Sequence, residues 1–155
     1  MSVKIRIIIL IVVIAVLLVG FFANKYKQNA EHSKNVLNEK NIRWDNFIND
    51  VCFRDMTTLS EIQRKAVLCF WYDAEMNSGG YSGYMDCYPN TNTEELAEAI
   101  RTIGYEEIAD NYLKAVNEGE KDEWVETDVA YYRFFPSLSD CLMEYVEKNR
   151  DVIFD

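Results

Sequence analysis

Apolar residues follow two different patterns along the chain. From Ile7 to Ala23 there are 17 consecutive residues with no charge and no polar side chain. As a helix this run is about 25 Å long at about 1.5 Å per residue. The hydrocarbon core of a bilayer is about 30 Å thick, so the run is slightly short. Ile5 extends it, and Lys4 and Arg6 on one side, with Lys25 and Lys27 on the other, can reach the headgroups. The pattern predicts a short tail (1–6), a single transmembrane anchor (7–23) seated in the lipid bilayer, and a polar stalk (24–35). A cleaved signal peptide fits less well. The run is longer than the usual apolar stretch of about 7–15 residues, and neither Gly20 nor Ala23 closes a small-x-small cleavage pattern. Lysines and arginines nearly balance across the run, so the side of the membrane stays undecided.

Residues 36–155 read as one helical domain. Leu37, Trp44, Phe47, Ile48 and Val51 recur at helical spacing and predict a first amphipathic helix. Ser60 and Gln63 form a capping-box signature ahead of Ile62, Ala66, Val67, Phe70, Trp71 and Ala74. That second helix is predicted to end at Gly79-Gly80. Tyr81–Tyr88 reads as a short helix, and Pro89–Thr93 as a loop ending in cap residues. Leu96, Ala97, Ile100 and Ile103 mark a further helix closed by Gly104. Ile108, Ala109, Tyr112, Leu113 and Val116 mark another. Glu118–Asp128 is an acidic loop or short helix. Val129–Phe135 is a helix or a strand-like piece before Pro136. Ser137 or Ser139 opens a last helix through Leu142, Tyr145 and Val146. The alternation of a sheet protein is missing, so the expected fold is all-α: a compact multi-helix domain behind one N-terminal transmembrane helix.

Charge changes this picture. The formal net charge is −10, and residues 73–128 alone carry 15 acidic against 3 basic residues. Such a chain is no general nucleic-acid binder, which needs a basic surface. Glu94, Glu95, Glu98, Glu106, Glu107 and Asp110 lie on helices whose other faces are apolar, so they project toward water. Glu118, Glu120, Asp122, Glu123, Glu126 and Asp128 form a second cluster. One reading is a solvated face that aids solubility. The sharper reading is a surface for a basic protein partner, because a row of carboxylates imitates nucleic-acid phosphates. Glu118-x-Glu120-x-Asp122 opens like a calcium loop, but Glu123 stands where the turn glycine is needed.

Catalytic signatures are missing. There is no zinc-protease, P-loop or dinucleotide motif, and the one histidine, His32, lies in the stalk. No metal or cofactor is implied. Cys52, Cys69, Cys87 and Cys141 have neither redox nor zinc spacing. Cys69 and Cys141 sit among apolar residues, where a free thiol behaves as a small hydrophobe. A carboxylate-dependent enzyme using groups near Glu75 and Asn77 is the alternative, and a membrane-tethered scaffold a third.

The segment Trp71-Tyr72-Asp73-Ala74-Glu75-Met76-Asn77-Ser78-Gly79-Gly80-Tyr81-Ser82-Gly83-Tyr84-Met85 resembles the signature E-x-N-N-G-G-[FY]-x-Q-[FY]-[FY] of the DNA-mimic-protein family. Ser78 stands in place of the second Asn, and Gly83 in place of the Gln. Leu96–Gly104 followed by Ile108-Ala109 is similar to that family's helix ending in Ile-Gly, and Leu142–Asn149 to its C-terminal helix. The resemblance spans roughly residues 40–155. It implies an all-helical fold and an acidic protein that occupies the DNA-binding surface of another protein. The motif residues Glu75, Asn77, Gly79, Gly80 and Tyr81 also have a structural reading. Gly79 takes a positive φ at the helix end, Gly80 permits close helix approach, and Glu75 and Asn77 bond backbone N–H groups of the following turn. Phe70, Trp71, Tyr72, Tyr81, Tyr84 and Tyr88 crowd around this motif as core or as groove lining.

Overall fold

The computed structural model describes the backbone of residues 3–155 and the side chains of Phe22 and residues 25–155. The expected anchor, residues 7–23, lies outside the described side chains apart from Phe22. Among the described residues, no helix is long and apolar enough to cross a membrane. The chain divides into two units, Met1–Ile42 and Arg43–Asp155. Helix α1 (Val3–Asn46) makes up the first and lends its last residues to the second. The polar segment 24–35 is part of this helix, and the side chains of residues 25–35 lie in solvent. Leu37, expected on the apolar face of the first amphipathic helix, is exposed instead. Its apolar partners begin only at Trp44 and Phe47, where the second unit starts.

The second unit is all-helical, with no strand among the described residues. A π-helical turn (Phe47–Val51) and a 3₁₀ turn (Met56–Thr58) lead into α2 (Glu61–Ser78). Then follow α3 (Gly80–Cys87), α4 (Thr93–Ile103), α5 (Glu106–Glu118), a 3₁₀ turn (Gly119–Asp122), α6 (Val125–Tyr131), α7 (Leu138–Lys148) and α8 (Arg150–Ile153). Helix α2 packs against α3, α4, α7 and α8. It starts where the sequence places it. The Ser60 hydroxyl accepts from the Gln63 N–H, and the Gln63 side chain accepts from the Ser60 N–H. The Gln63 amide then donates to the Ile153 carbonyl at 3.0 Å, which fixes α8 to the start of α2. Ser137, rather than Ser139, opens α7 through an equivalent box with Asp140. The 118–128 stretch resolves into the 3₁₀ turn and the first residues of α6, and 129–135 contains no strand. Val116, expected inside, is partly exposed.

Two aromatic groups hold the helices together. Near the first turn, Phe47 packs edge-on to Phe70 (6.0 Å, 85°), with Trp44 against both. Arg43 grips Glu147 of α7 through two bonds, Nε–Oε1 at 2.7 Å and Nη2–Oε2 at 3.0 Å. At the centre, Tyr72 of α2 is fully buried. Tyr84 of α3, Tyr112 of α5 and Tyr131 of α6 each meet its ring at 5.1–5.7 Å in edge-to-face geometry. Such pairs are worth about 0.5–1.5 kcal/mol each beyond their buried area. The Tyr72 hydroxyl itself finds no hydrogen-bond partner. A buried unsatisfied hydroxyl costs about 1–3 kcal/mol. Tyr72→Phe keeps every ring contact and removes that cost. It is expected to raise the unfolding free energy by about 1 kcal/mol, read from urea denaturation. A loss of stability would show that the hydroxyl has a partner.

Candidate functional site

The Gly79-Gly80 corner joins α2 to α3. The left-handed residue is Gly80, with φ +66°, and not Gly79, whose φ is −128°. This corrects the expected assignment. The reason lies 47 residues away. Asp128 of α6 reaches the corner and accepts from the Tyr81 N–H at 3.0 Å. A Cβ at Gly80 would collide with the Asp128 carboxylate. The glycine therefore serves both a backbone conformation and a close approach. The carboxylate also answers an unpaired N–H in the first turn of α3. Glu75 and Asn77 do not perform this task. Asn77 donates back to the Asp73 carbonyl at 2.7 Å, and Glu75 accepts from the Ser78 hydroxyl at 3.3 Å.

Beneath the corner lies a polar contact that sequence reading missed. Asp73 accepts from the Tyr131 hydroxyl at 2.6 Å, tying α2 to α6. Burial pushes the Asp73 carboxyl above the ordinary aspartate range, with Tyr131 and other hydrogen bonds opposing the shift. The Tyr132 hydroxyl also donates to the Met76 carbonyl at 2.7 Å.

The acidic residues separate into groups. Glu106, Asp110, Lys114 and Glu118 follow one another at four-residue steps down the exposed side of α5, with Glu107 beside them. This stripe is about 18 Å long at about 1.5 Å per residue. Arg101 pairs with Glu106 at 2.8 Å, and Lys114 with Glu126 at 2.7 Å. Glu106 holds Arg101 further toward its charged form, assisted by Glu98 and Asp110. Glu126 does the same for Lys114, assisted by Glu118 and Asp122. Lys121 lies 3.6 Å from Glu118. Glu94 and Glu98 sit in solvent on α4. Glu95 points elsewhere. It turns to α2, where Arg64 grips it through both Nε and Nη2 (the latter leg 2.9 Å), and its pKa falls. Glu120 and Glu123 are exposed past the end of α5.

Glu123 and Trp124 both carry positive φ, at 57° and 62°. A left-handed backbone costs a non-glycine residue about 1–2 kcal/mol. These two turns swing the Trp124 indole onto Gly119, where its N–H donates to the Ala115 carbonyl at 3.0 Å. A Cβ on Gly119 would occupy the space of the indole. Trp124, Tyr81, Tyr84 and Tyr112 line a small pocket of about 160 Å³. A larger cleft of about 590 Å³ lies beside Phe53, Trp71 and Tyr88, with Arg64 and Glu95 at its edge. Tyr72, Tyr81 and Tyr84 are thus buried, while Trp71 and Tyr88 are groove lining as well. Glu75 lines neither space. All four cysteines are free, with Cys52 and Cys69 buried and burial raising the thiol pKa of both, that of Cys52 to about 12. Among the described residues, no group of three or more histidine, cysteine or carboxylate side chains is arranged to hold a metal ion.

Fold and surface together define an acidic, all-helical domain with its carboxylates on exposed helix faces. The chain belongs to the DMP19-like protein family, whose model matches residues 57–151. DMP19 is a DNA-mimic family. The match covers α2 to the start of α8 and so contains both the Gly80 corner and the acidic stripe. No curated protein and no solved structure matches the chain.

Two measurements check this geometry. Gly80→Ala is expected to cost about 1–2 kcal/mol from its φ alone, and more through displacement of Asp128, while Gly79→Ala costs less. Equal losses in urea denaturation would contradict the assignment of the left-handed position to Gly80. For the Arg64–Glu95 pair, the folded carboxyl pKa is lowered, so its stabilisation is present above the ordinary glutamate range. It is lost as pH falls through the depressed folded value. Glu95→Gln is therefore expected to lower stability at neutral pH and to flatten the acid side of the pH–stability curve. A parallel curve at all pH values would rule this linkage out.

Proposed function

We propose that the domain is a protein-binding module that presents its α4–α5 side to the DNA-binding surface of a basic protein, such as a transcription regulator or a nuclease toxin. The observation that carries this reading is the stripe on α5. Its carboxylates Glu106, Asp110 and Glu118 share one face with Glu107 beside them, and the two cations there, Lys114 within the row and Arg101 reaching it from α4, are already engaged by carboxylates of the same surface. A basic partner therefore meets a net negative row in place of phosphates. Family membership supports the same direction. In the full chain, the apolar run at residues 7–23 would hold this surface at a bilayer.

The test uses the full chain as bait for basic proteins. Captured partners are expected to be released by added duplex DNA and by salt, with affinity falling steeply as ionic strength rises. Glu107→Lys with Asp110→Lys is expected to weaken capture about tenfold or more, in line with charge pairs at protein interfaces. Binding that ignores salt and is not displaced by DNA would reject the mimic.

A further inference from the structure

The cleft beside Phe53, Trp71 and Tyr88 has the size of a ligand site. Its volume of about 590 Å³ falls within the about 300–1,000 Å³ that such sites occupy. Its aromatic wall is open. The Phe53 ring is 68% exposed, and Trp71 and Tyr88 are each half-buried. Trp71 stands 5.3 Å from Phe53 and 5.7 Å from Tyr88. Its indole N–H donates to the Cys52 carbonyl at 3.2 Å, so Trp71 offers the cleft ring surface and no free donor.

The charge here runs against the rest of the molecule. The chain carries a net charge of −10, yet the charged residues lining the cleft are Arg54, Arg64 and Glu95. Arg64 is fully engaged. Its Nε and Nη2 hold Glu95, and its Nη1 donates to the Met56 carbonyl at 3.3 Å. Arg54 differs. Its Nε donates to the Asp50 carbonyl at 3.1 Å, and among the described residues neither of its Nη groups has a partner and no carboxylate pairs with it. The neighbouring Asp55 carboxylate is turned instead to the N–H and hydroxyl of Thr57, both at 2.8 Å. A guanidinium held at Nε keeps a two-pronged Nη edge that matches a carboxylate.

We propose that this cleft binds a small aromatic carboxylate, with its ring against Phe53 and Trp71 and its carboxylate on the Nη edge of Arg54. A neutral ring leaves the Arg54 edge unanswered, and a bare anion leaves the aromatic wall in water. The proposal does not rest on the acidic stripe, and its test uses no protein partner.

The probe is 2-naphthoate, titrated into the full chain carrying ¹⁵N-labelled tryptophan. Two controls separate its halves: 2-naphthamide keeps the ring without the charge, and acetate keeps the charge without the ring. Naphthoate is expected to shift the Trp71 indole resonance saturably and to leave that of Trp124 in place, while naphthamide binds at least tenfold more weakly and acetate does not bind. Arg54→Gln alters an exposed side chain and is expected to weaken naphthoate about tenfold or more, as loss of a charge-assisted bond does, without changing the response to naphthamide. Phe53→Ala removes an exposed ring and is expected to weaken naphthoate about three- to tenfold. An unmoved Trp124 resonance in each variant reports that the fold is intact. No shift of Trp71, equal affinity for naphthoate and naphthamide, or undiminished naphthoate binding in Arg54→Gln or in Phe53→Ala would each overturn the proposal.

Discussion

Tyr72 sits where α2, α3, α5 and α6 meet, and each of the other three helices sends one tyrosine to its ring. Edge-to-face packing requires near-perpendicular planes, so each contact sets an orientation as well as a distance. Four helices that share one ring cannot be repositioned independently. The placement of α3 and α6 around this ring is what brings Asp128 within reach of the Gly80 corner and Tyr131 within reach of Asp73. The cost is a hydroxyl buried with no partner. A phenylalanine would avoid that cost, so shape alone does not account for tyrosine here.

Local features of the fold were legible in the residues. Ser60 with Gln63 marked a helix start because both halves of that cap lie within one turn. The apolar faces of α4 and α5 followed from spacing, because each helix buries one side against its neighbours. Long-range demands were not legible. The choice of Gly80 over Gly79 depends on Asp128, which is remote in sequence and reads there as one more acidic residue. The left-handed pair Glu123-Trp124 has no local signal, since neither residue favours that backbone. Leu37 misled for a related reason. Helical spacing tells that a face is apolar, while burial needs a partner, and the partners begin at Trp44.

The acidic surface divided in the same way. Composition showed that carboxylates crowd the middle of the chain, and spacing placed most of them in solvent. It did not show that Glu95 belongs to Arg64 across the α2 packing, or that Lys114 inside the stripe and Arg101 from α4 are held there as paired cations. Those internal pairs matter to any partner. They lower the self-repulsion of the stripe while leaving its net sign unchanged, so the surface stays compatible with a folded helix.

The Arg43–Glu147 clasp and the Gln63–Ile153 bond act on opposite ends of the second unit. The first turn is riveted to the penultimate helix, and the last helix is riveted to the first long one. Chains usually loosen from their termini, where few contacts oppose fraying. Here neither edge is an easy place to peel. Between Gly119 and Tyr132, in the interior of the unit, short turns and left-handed backbone carry many exposed side chains. Each bond fastens an end of the unit to a helix remote in sequence, so fraying at either end has to break a long-range contact first.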